Sequence, residues 1–126
     1  LKNMHAVKQA SINLIVYNKY FKNNNPLPIF IFCPESYEKE NAINARMFSH
    51  AFGIPEDPAT GSANGCLAAY LTYHRYFGSN TVDITVEQGY EIGRKSIIHL
   101  RSTLENNTYN IEVGGKVIAV AEGMLL

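Results

Sequence analysis

The sequence predicts an α+β fold in which a curved, mainly antiparallel sheet wraps around one central helix like a barrel. The chain has 126 residues, of which 46% are hydrophobic and 17% charged, as expected of one domain with a substantial core. Several short segments have the β-branched or alternating pattern that is typical of strands. Residues 61–77 instead have helical composition, with apolar side chains on every side.

The charge balance argues against two classes of partner. Lysine plus arginine and aspartate plus glutamate each number 11, so the formal net charge is zero. Nucleic acids and anionic membranes need a basic face, and we expect neither as a partner. No apolar run approaches the roughly 18 residues of a membrane span, and no targeting segment is visible, so we expect a cytoplasmic protein.

The cysteines and histidines predict no metal site. Cys33 and Cys66 lie far apart within apolar segments, and we interpret both as reduced core thiols of a cytosolic protein. The spacing of cysteines and histidines matches no zinc motif.

The first part of the chain is predicted to be mostly strands. Residues 1–9 have the pattern of the last turns of a helix. Residues 11–18 are β-branched and bounded by polar residues, so they predict a strand, and residues 20–28 predict a loop. Residues 29–34 and 41–50 predict the next two strands.

The second part continues the sheet after the helix. Thr81–Gln88 alternates apolar and polar residues, which indicates a half-buried strand, and residues 96–103 predict another. Residues 107–123 predict a hairpin, with Gly114 and Gly115 supplying the positive φ angles of its turn.

The helix at 61–77 has an unusual beginning. Its first turns contain tiny residues, and Gly61 and Gly65 each cost about 1 kcal/mol relative to alanine. Close packing, or the close approach of a ligand, is the compensation that we infer. Because the apolar residues form no single stripe, we expect this helix to be enclosed by the sheet.

A polar segment precedes this helix and predicts an anion site. Asp57 and Pro58 have the pattern of an N-cap followed by a first turn. The amides of Thr60, Gly61 and Ser62 would then lie at the positive end of the helix dipole, which suits a carboxylate or phosphate. Two interpretations stay open: Asp57 caps the helix, or it faces a cleft and handles a proton.

Five segments carry a resemblance to a known family. They are EDPATGSA (56–63), ARMFSHAFGIP (45–55), NGCLAAYL (64–71), EQGYEIGRKSII (87–98) and VGGKVIAVAEG (113–123). Together they resemble the PhzF-like phenazine-biosynthesis proteins, in the right order, from about residue 41 onward. The first forty residues match only as generic strands and loops.

The resemblance implies a fold and a domain organisation. The family shares the diaminopimelate-epimerase fold, in which two similar halves each wrap a sheet around a central helix and the active site lies between them. Residues 1–126 resemble the C-terminal half alone. The N-terminal half, with its glycine–histidine motif and catalytic glutamate, is absent from this chain. We therefore expect that half as a partner, and a homodimer.

The resemblance also implies a chemistry. We expect part of a cofactor-independent isomerase that transfers a proton on a small, anionic, carboxylate-bearing substrate. Asp57 and Ser62 would be catalytic. The implied substrate-binding positions are Thr60, Gly61, Ser62, Ala63 and Arg46. In the related epimerases a cysteine stands where Thr60 stands here, and a threonine hydroxyl is far too weak an acid to replace that thiol.

Two questions remain open at this level. Arg46 suits an anionic substrate and a salt bridge about equally. The alternative function is that of a non-catalytic binding protein, or an inactive fragment, on the same scaffold. In either case we expect no activity from this chain alone, because the base that the family uses is absent.

Overall fold

The computed structural model describes residues 1–21 and 27–124. Within these residues five strands lie side by side in chain order and form one open sheet. The strands are β1 (Ile29–Cys33), β2 (Ile43–Phe48), β3 (Thr81–Gln88), β4 (Ser96–Glu105) and β5 (Thr108–Gly115). All neighbours are antiparallel except β2 and β3, which are parallel. The fold is therefore α+β with a mainly antiparallel sheet, as predicted, although the sheet does not close into a barrel.

Helices connect and cover this sheet. They are α1 (Met4–Gln9), α2 (Leu14–Phe21) and α3 (Gly61–Tyr73), with a short 3-10 turn at His50–Phe52. Because α3 carries the chain from β2 to β3, these two strands can pair in parallel. None of the helices in the described ranges combines the length and the apolar character needed to cross a bilayer.

The core lies between α3 and one face of the sheet. Strand residues alternate between two faces, so every second residue of β2, β3 and β4 points toward the helix. The buried core residues are Ile43, Ala45, Leu67, Ala68, Leu71, Val82, Val86, Ile98 and Leu100. The close packing that we inferred for the helix glycines is not observed: a Cβ atom at Gly65 would make only an ordinary contact, 3.5 Å from Val113 Cγ2, and one at Gly61 would have no neighbour within 4 Å. α1 contacts β1 and β2 on the opposite face of the sheet.

The prediction of a strand at residues 11–18 is wrong, because α2 occupies Leu14–Phe21. Asn13 begins this helix: its side-chain oxygen accepts hydrogen bonds from the amides of Ile15 and Val16, both at 3.1 Å. This N-cap outweighs the β-branched residues that suggested a strand. The loop predicted at 20–28 loses its first two residues to α2, and its residues 22–26 lie outside the described part of the chain.

The turn predicted at Gly114 and Gly115 is also wrong. Both glycines lie in β5, and the hairpin turn is formed by Asn106 and Asn107, with φ angles of 49° and 62°. Asparagine tolerates this left-handed conformation better than most residues. Residues 116–124 form no strand, and Val120 in this segment is 91% exposed.

The expected enclosure of the central helix is only partly observed. Leu67 and Leu71 of α3 are buried against the sheet, but Tyr70 and Tyr73 are 47% and 67% exposed. The helix ends at Tyr73 rather than at residue 77. One side of α3 is therefore left uncovered by the open sheet.

Candidate functional site

The segment between β2 and α3 is attached to β2 by its backbone. The Asp57 amide donates to the Met47 carbonyl at 2.9 Å, as in a short antiparallel pair. This bond places Asp57 beside the end of β2 and before the start of α3. Residues 56–60, which we call the acidic loop, are therefore fixed relative to the sheet.

Arg46 fixes the preceding residue of the same loop. Its Nε and Nη2 atoms donate to the two carboxylate oxygens of Glu56 at 3.0 and 2.7 Å. Its Nη1 atom donates to the carbonyls of Val7 and Ala10, both at 2.9 Å. The hydrogen bond to Glu56 raises the pKa of Arg46 above its ordinary value. This side chain is thus engaged within the protein, and its role as a substrate ligand stays a prediction.

Asp57 does not cap the helix. The helix begins at Gly61, and Thr60 is the N-cap residue. The Thr60 side chain makes no capping bond; its hydroxyl donates instead to Asp57 Oδ2 at 2.5 Å. The first amides of a helix have no partner within the helix, so those of Gly61, Ser62 and Ala63 can receive an anion.

Gln88 joins the acidic loop to the helix, and we did not predict it. Its Nε2 atom donates to the Asp57 carbonyl at 2.7 Å and to Thr60 Oγ1 at 3.0 Å. Its Oε1 atom accepts from the Thr60 amide at 3.3 Å and from Asn64 Nδ2 at 2.8 Å. Gln88 and Asn64 are fully buried. The sequence does contain one sign of this role. Gln88 is a polar residue at a position where the alternation of Thr81–Gln88 predicts a buried apolar side chain.

Gly89 allows the acidic loop to pack closely against the end of β3. Its φ angle is +77°, and a Cβ atom there would lie 2.4 Å from the Arg94 carbonyl oxygen and 2.9 Å from that of Pro58. Any larger residue would push the loop away. Gln88 thus holds the acidic loop by hydrogen bonds, and Gly89 leaves room for it, so both residues help to fix the position of Asp57.

Glu87, the preceding residue, holds another loop from the other face of β3. Its carboxylate accepts from the amides of Tyr37 and Glu38 at 2.7 and 2.8 Å, and from Asn41 Nδ2 at 2.8 Å. Glu87 is fully buried, and these three donors offset the loss of water. We interpret it as a structural residue.

An apolar groove of about 500 Å³ runs along the uncovered side of α3. Its lining residues are Pro28, Phe30, Phe32, Met47, Ser62, Ala63, Cys66, Leu67 and Tyr70. Ser62 and the exposed start of the helix therefore border a concave apolar surface.

Cys66 lies in this groove. Cys33 and Cys66 are both free thiols, but only Cys33 is buried, so the prediction of a core position for Cys66 is wrong.

The structure brings most of the predicted site residues together. Asp57, Thr60, Gly61, Ser62 and Ala63 lie within seven consecutive positions around the start of α3. Arg46 lies on the opposite face of β2 from Met47, which lines the groove. Within residues 1–21 and 27–124, no group of three or more histidine, cysteine, aspartate or glutamate side chains could hold a metal ion.

Comparisons with known proteins find relatives that are named isomerases. The chain is 29% identical over its whole length to an uncharacterized isomerase from Clostridium acetobutylicum, and it spans 43% of that relative. It is 44% identical over 80 residues to trans-2,3-dihydro-3-hydroxyanthranilate isomerase from Pseudomonas aeruginosa, covering 63% of this chain and 28% of the relative.

A solved structure from the same family has a similar fold. The crystal structure of a PhzF-family phenazine biosynthesis protein from Bacillus anthracis matches with a TM-score of 0.75 and 26% identity, over 91% of this chain and 40% of that one. The chain thus spans less than half the length of these relatives. Residues 1–123 match the PhzC–PhzF family model, described as phenazine biosynthesis-like protein. The chain therefore belongs to the phenazine biosynthesis-like family.

Proposed function

We propose that this chain forms part of a cofactor-independent isomerase that moves a proton on a small substrate bearing a carboxylate. Relatives in the family are named isomerases, which supports the reaction class. The observation that carries the proposal is the contact of Asp57 with Thr60, the N-cap residue of α3, next to Ser62 and Ala63, which line the apolar groove.

The two parts of the substrate would be bound by different groups. The amides of Gly61, Ser62 and Ala63, with the Ser62 hydroxyl, would hold the carboxylate at the positive end of the helix dipole. Charge-assisted hydrogen bonds of this kind contribute about 1–3 kcal/mol each. The apolar groove would receive the ring or hydrocarbon part. Arg46 would act through Glu56, by holding the acidic loop, rather than on the substrate.

Asp57 would handle the proton. Its Oδ2 atom is held by the Thr60 hydroxyl, so its Oδ1 atom is the one available to accept a proton from the substrate and return it. The family resemblance assigns the principal base to a glutamate in an N-terminal half. We propose that this half is the partner of the chain, and that the protein is a cytoplasmic homodimer. Two free cysteines are consistent with a reducing compartment.

The substitution Asp57→Asn in the full-length protein tests the role of this carboxylate. The assay follows deuterium uptake from heavy water into trans-2,3-dihydro-3-hydroxyanthranilate, the compound in the name of the Pseudomonas relative. We expect the rate to fall roughly 100-fold or more while the melting temperature stays within about 2 °C. Asp83→Asn is the matched control, because this aspartate is exposed on β3 and pairs with Arg101.

Two outcomes would contradict the proposal. If Asp57→Asn leaves deuterium uptake intact and lowers the melting temperature, Asp57 is a structural residue. If the wild-type protein binds the compound without any uptake of deuterium, a non-catalytic binding protein on the same scaffold is the better description.

A further inference from the structure

We propose that Gln88 is a positioning residue for Asp57, acting through the hydroxyl of Thr60. The inference rests on the proposed function, in which Asp57 handles a proton. It concerns a residue on another element of the fold, at the end of β3, that does not itself line the groove.

The orientation of the Gln88 amide is determined by groups that have only one hydrogen-bonding role. The Asp57 carbonyl can only accept, so the atom 2.7 Å away must be Nε2. The Thr60 amide can only donate, so the atom that faces it at 3.3 Å must be Oε1. A flipped side chain would place like groups together at both contacts, so one orientation alone satisfies them.

This orientation determines the direction of the next hydrogen bond. Because Nε2 also donates to Thr60 Oγ1 at 3.0 Å, the hydroxyl oxygen acts as an acceptor toward Gln88. Its own hydrogen is then directed at Asp57 Oδ2, 2.5 Å away. Amide, hydroxyl and carboxylate form a chain in which each bond polarises the next. Asp57 Oδ2 is thereby occupied, and Oδ1 is left for chemistry.

Burial makes this arrangement rigid. Gln88 and Asn64 are both 0% exposed, so water does not compete for their amides. Asn64 Nδ2 donates to Gln88 Oε1 at 2.8 Å and to the Thr60 carbonyl at 2.9 Å, which links Gln88 to the first turn of α3. The side-chain amide of Gln88 therefore fixes the position of Asp57 relative to the start of α3.

Two substitutions in the full-length protein separate positioning from simple structural support. Gln88→Glu, in its ionised form, keeps an oxygen that accepts from Thr60 and Asn64 but loses both bonds donated toward the acidic loop. Gln88→Met keeps the length of the side chain and loses all four bonds. Gln9→Glu is the control, because it adds the same charge at an exposed position of α1.

We expect Gln88→Glu to lower kcat for deuterium uptake roughly 10–100-fold, as for a misplaced catalytic group, while KM changes less than about threefold. Gln88→Met should lower kcat and raise KM together. Gln9→Glu should change neither. An unchanged kcat in Gln88→Glu, with an active wild-type protein, would overturn the proposal for Gln88 and leave the proposed function intact.

A double-mutant cycle identifies Thr60 as the intermediary. Thr60→Val removes the hydroxyl, whereas Thr60→Ser retains it and should keep most of the activity. If Gln88 acts through this hydroxyl, Gln88→Glu should cause little further loss of kcat in the Thr60→Val background. Losses that simply multiply would contradict the proposal.

A second measurement does not depend on turnover. The carboxyl carbon resonance of Asp57, assigned by its absence in Asp57→Asn, should shift in Gln88→Glu and Gln88→Met but not in Gln9→Glu. An unchanged resonance would overturn the positioning role. A protein in which the resonance shifts but no variant, nor the wild type, takes up deuterium would instead refute the proposed function.

Discussion

Arg46 and Glu56 form a two-pronged ion pair, with Nη2 2.7 Å from Oε2 and Nε 3.0 Å from Oε1. Their side chains are only 10% and 6% exposed. The same guanidinium donates to the carbonyls of Val7 and Ala10, so it links the N-terminal helix, β2 and the acidic loop. This pair therefore supports the loop that carries Asp57 from the face of the sheet opposite α3.

Removing this arginine should destabilise the protein strongly. Arg46→Met leaves the Glu56 carboxylate buried without a partner, and we expect the free energy of unfolding in urea to fall by about 3–5 kcal/mol. Arg101→Met is the control, because its pair with Asp83 is exposed and contributes at most about 1 kcal/mol. If Arg46→Met keeps its stability and instead loses substrate affinity, Arg46 contacts the substrate directly.

Gly89 should tolerate no side chain. Gly53 and Gly89 have almost the same φ angle, +76° and +77°, so alanine at either position costs about 1–2 kcal/mol from the backbone alone. Only Gly89 has close neighbours, and we expect Gly89→Ala to be less stable than Gly53→Ala by a further ~1–3 kcal/mol. Thermal unfolding of the two variants measures this difference, and equal losses would show that the acidic loop can move away.

Tyr37 should make stability depend on pH in the alkaline range. Partial desolvation of this 40% exposed side chain, and then the negative charge of Glu91, raise the pKa of Tyr37 from 10.0 to about 12. The Tyr37 hydroxyl therefore stays protonated to a higher pH in the folded state than in the unfolded state. Its contribution to the free energy of unfolding is complete below pH 10 and is lost as the pH rises to about 12. Urea unfolding across this range should show a smaller decline for Tyr37→Phe than for the wild type. An equal decline would assign the effect to other groups.

The start of α3 should bind a small carboxylate. We expect benzoate to shift the amide resonances of Gly61 and Ser62 in nitrogen–proton NMR spectra, because these amides lie at the positive end of the helix dipole. Benzamide has nearly the same shape without the charge and is the control. Equal shifts with both compounds, or shifts confined to other residues, would refute an anion site here.

The 126-residue chain by itself should catalyse no deuterium uptake into trans-2,3-dihydro-3-hydroxyanthranilate, because it spans only 43% of the length of a family isomerase. Adding the N-terminal half that we propose, as a second polypeptide, should restore the reaction. Uptake by the purified chain alone, at a rate similar to that of the full-length protein, would show that the site is complete within these residues.

Much of the sheet could be predicted because its strands carry local signals. Alternation in Thr81–Gln88 corresponds to the burial of Val82 and Val86, and the apolar run Ile29–Cys33 corresponds to a strand that is partly buried along its length. The failures have local causes as well. Leu14–Phe21 contains residues of high strand propensity, but the Asn13 cap and the surroundings favour a helix. At the hairpin, the left-handed conformations that we predicted for Gly114 and Gly115 are adopted by Asn106 and Asn107.

The site could be predicted only where its residues are consecutive. Asp57, Thr60, Gly61 and Ser62 belong to one motif, so the motif identified them together. Gln88 is 28 residues from Thr60, and hydrogen bonds between them depend on a strand register that no local pattern encodes. The capping interpretation of Asp57 failed for a similar reason, since the Met47 contact holds this residue outside the helix.

The parallel pairing of β2 with β3 also has a consequence for the order of folding. β1–β2 and β3–β4–β5 are each antiparallel units, and their strands pair with each other at three register positions: Ile43 with Val86, Asn44 with Glu87, and Ala45 with Gln88. Contacts between distant residues need a costly loop closure, so this junction should form last, after the antiparallel units. Gln88 is one of the joining residues. We therefore expect the hydrogen bonds from Gln88 to Asp57 and Thr60 to form late in folding, and a separation of these two strands would remove the bonds that position Asp57.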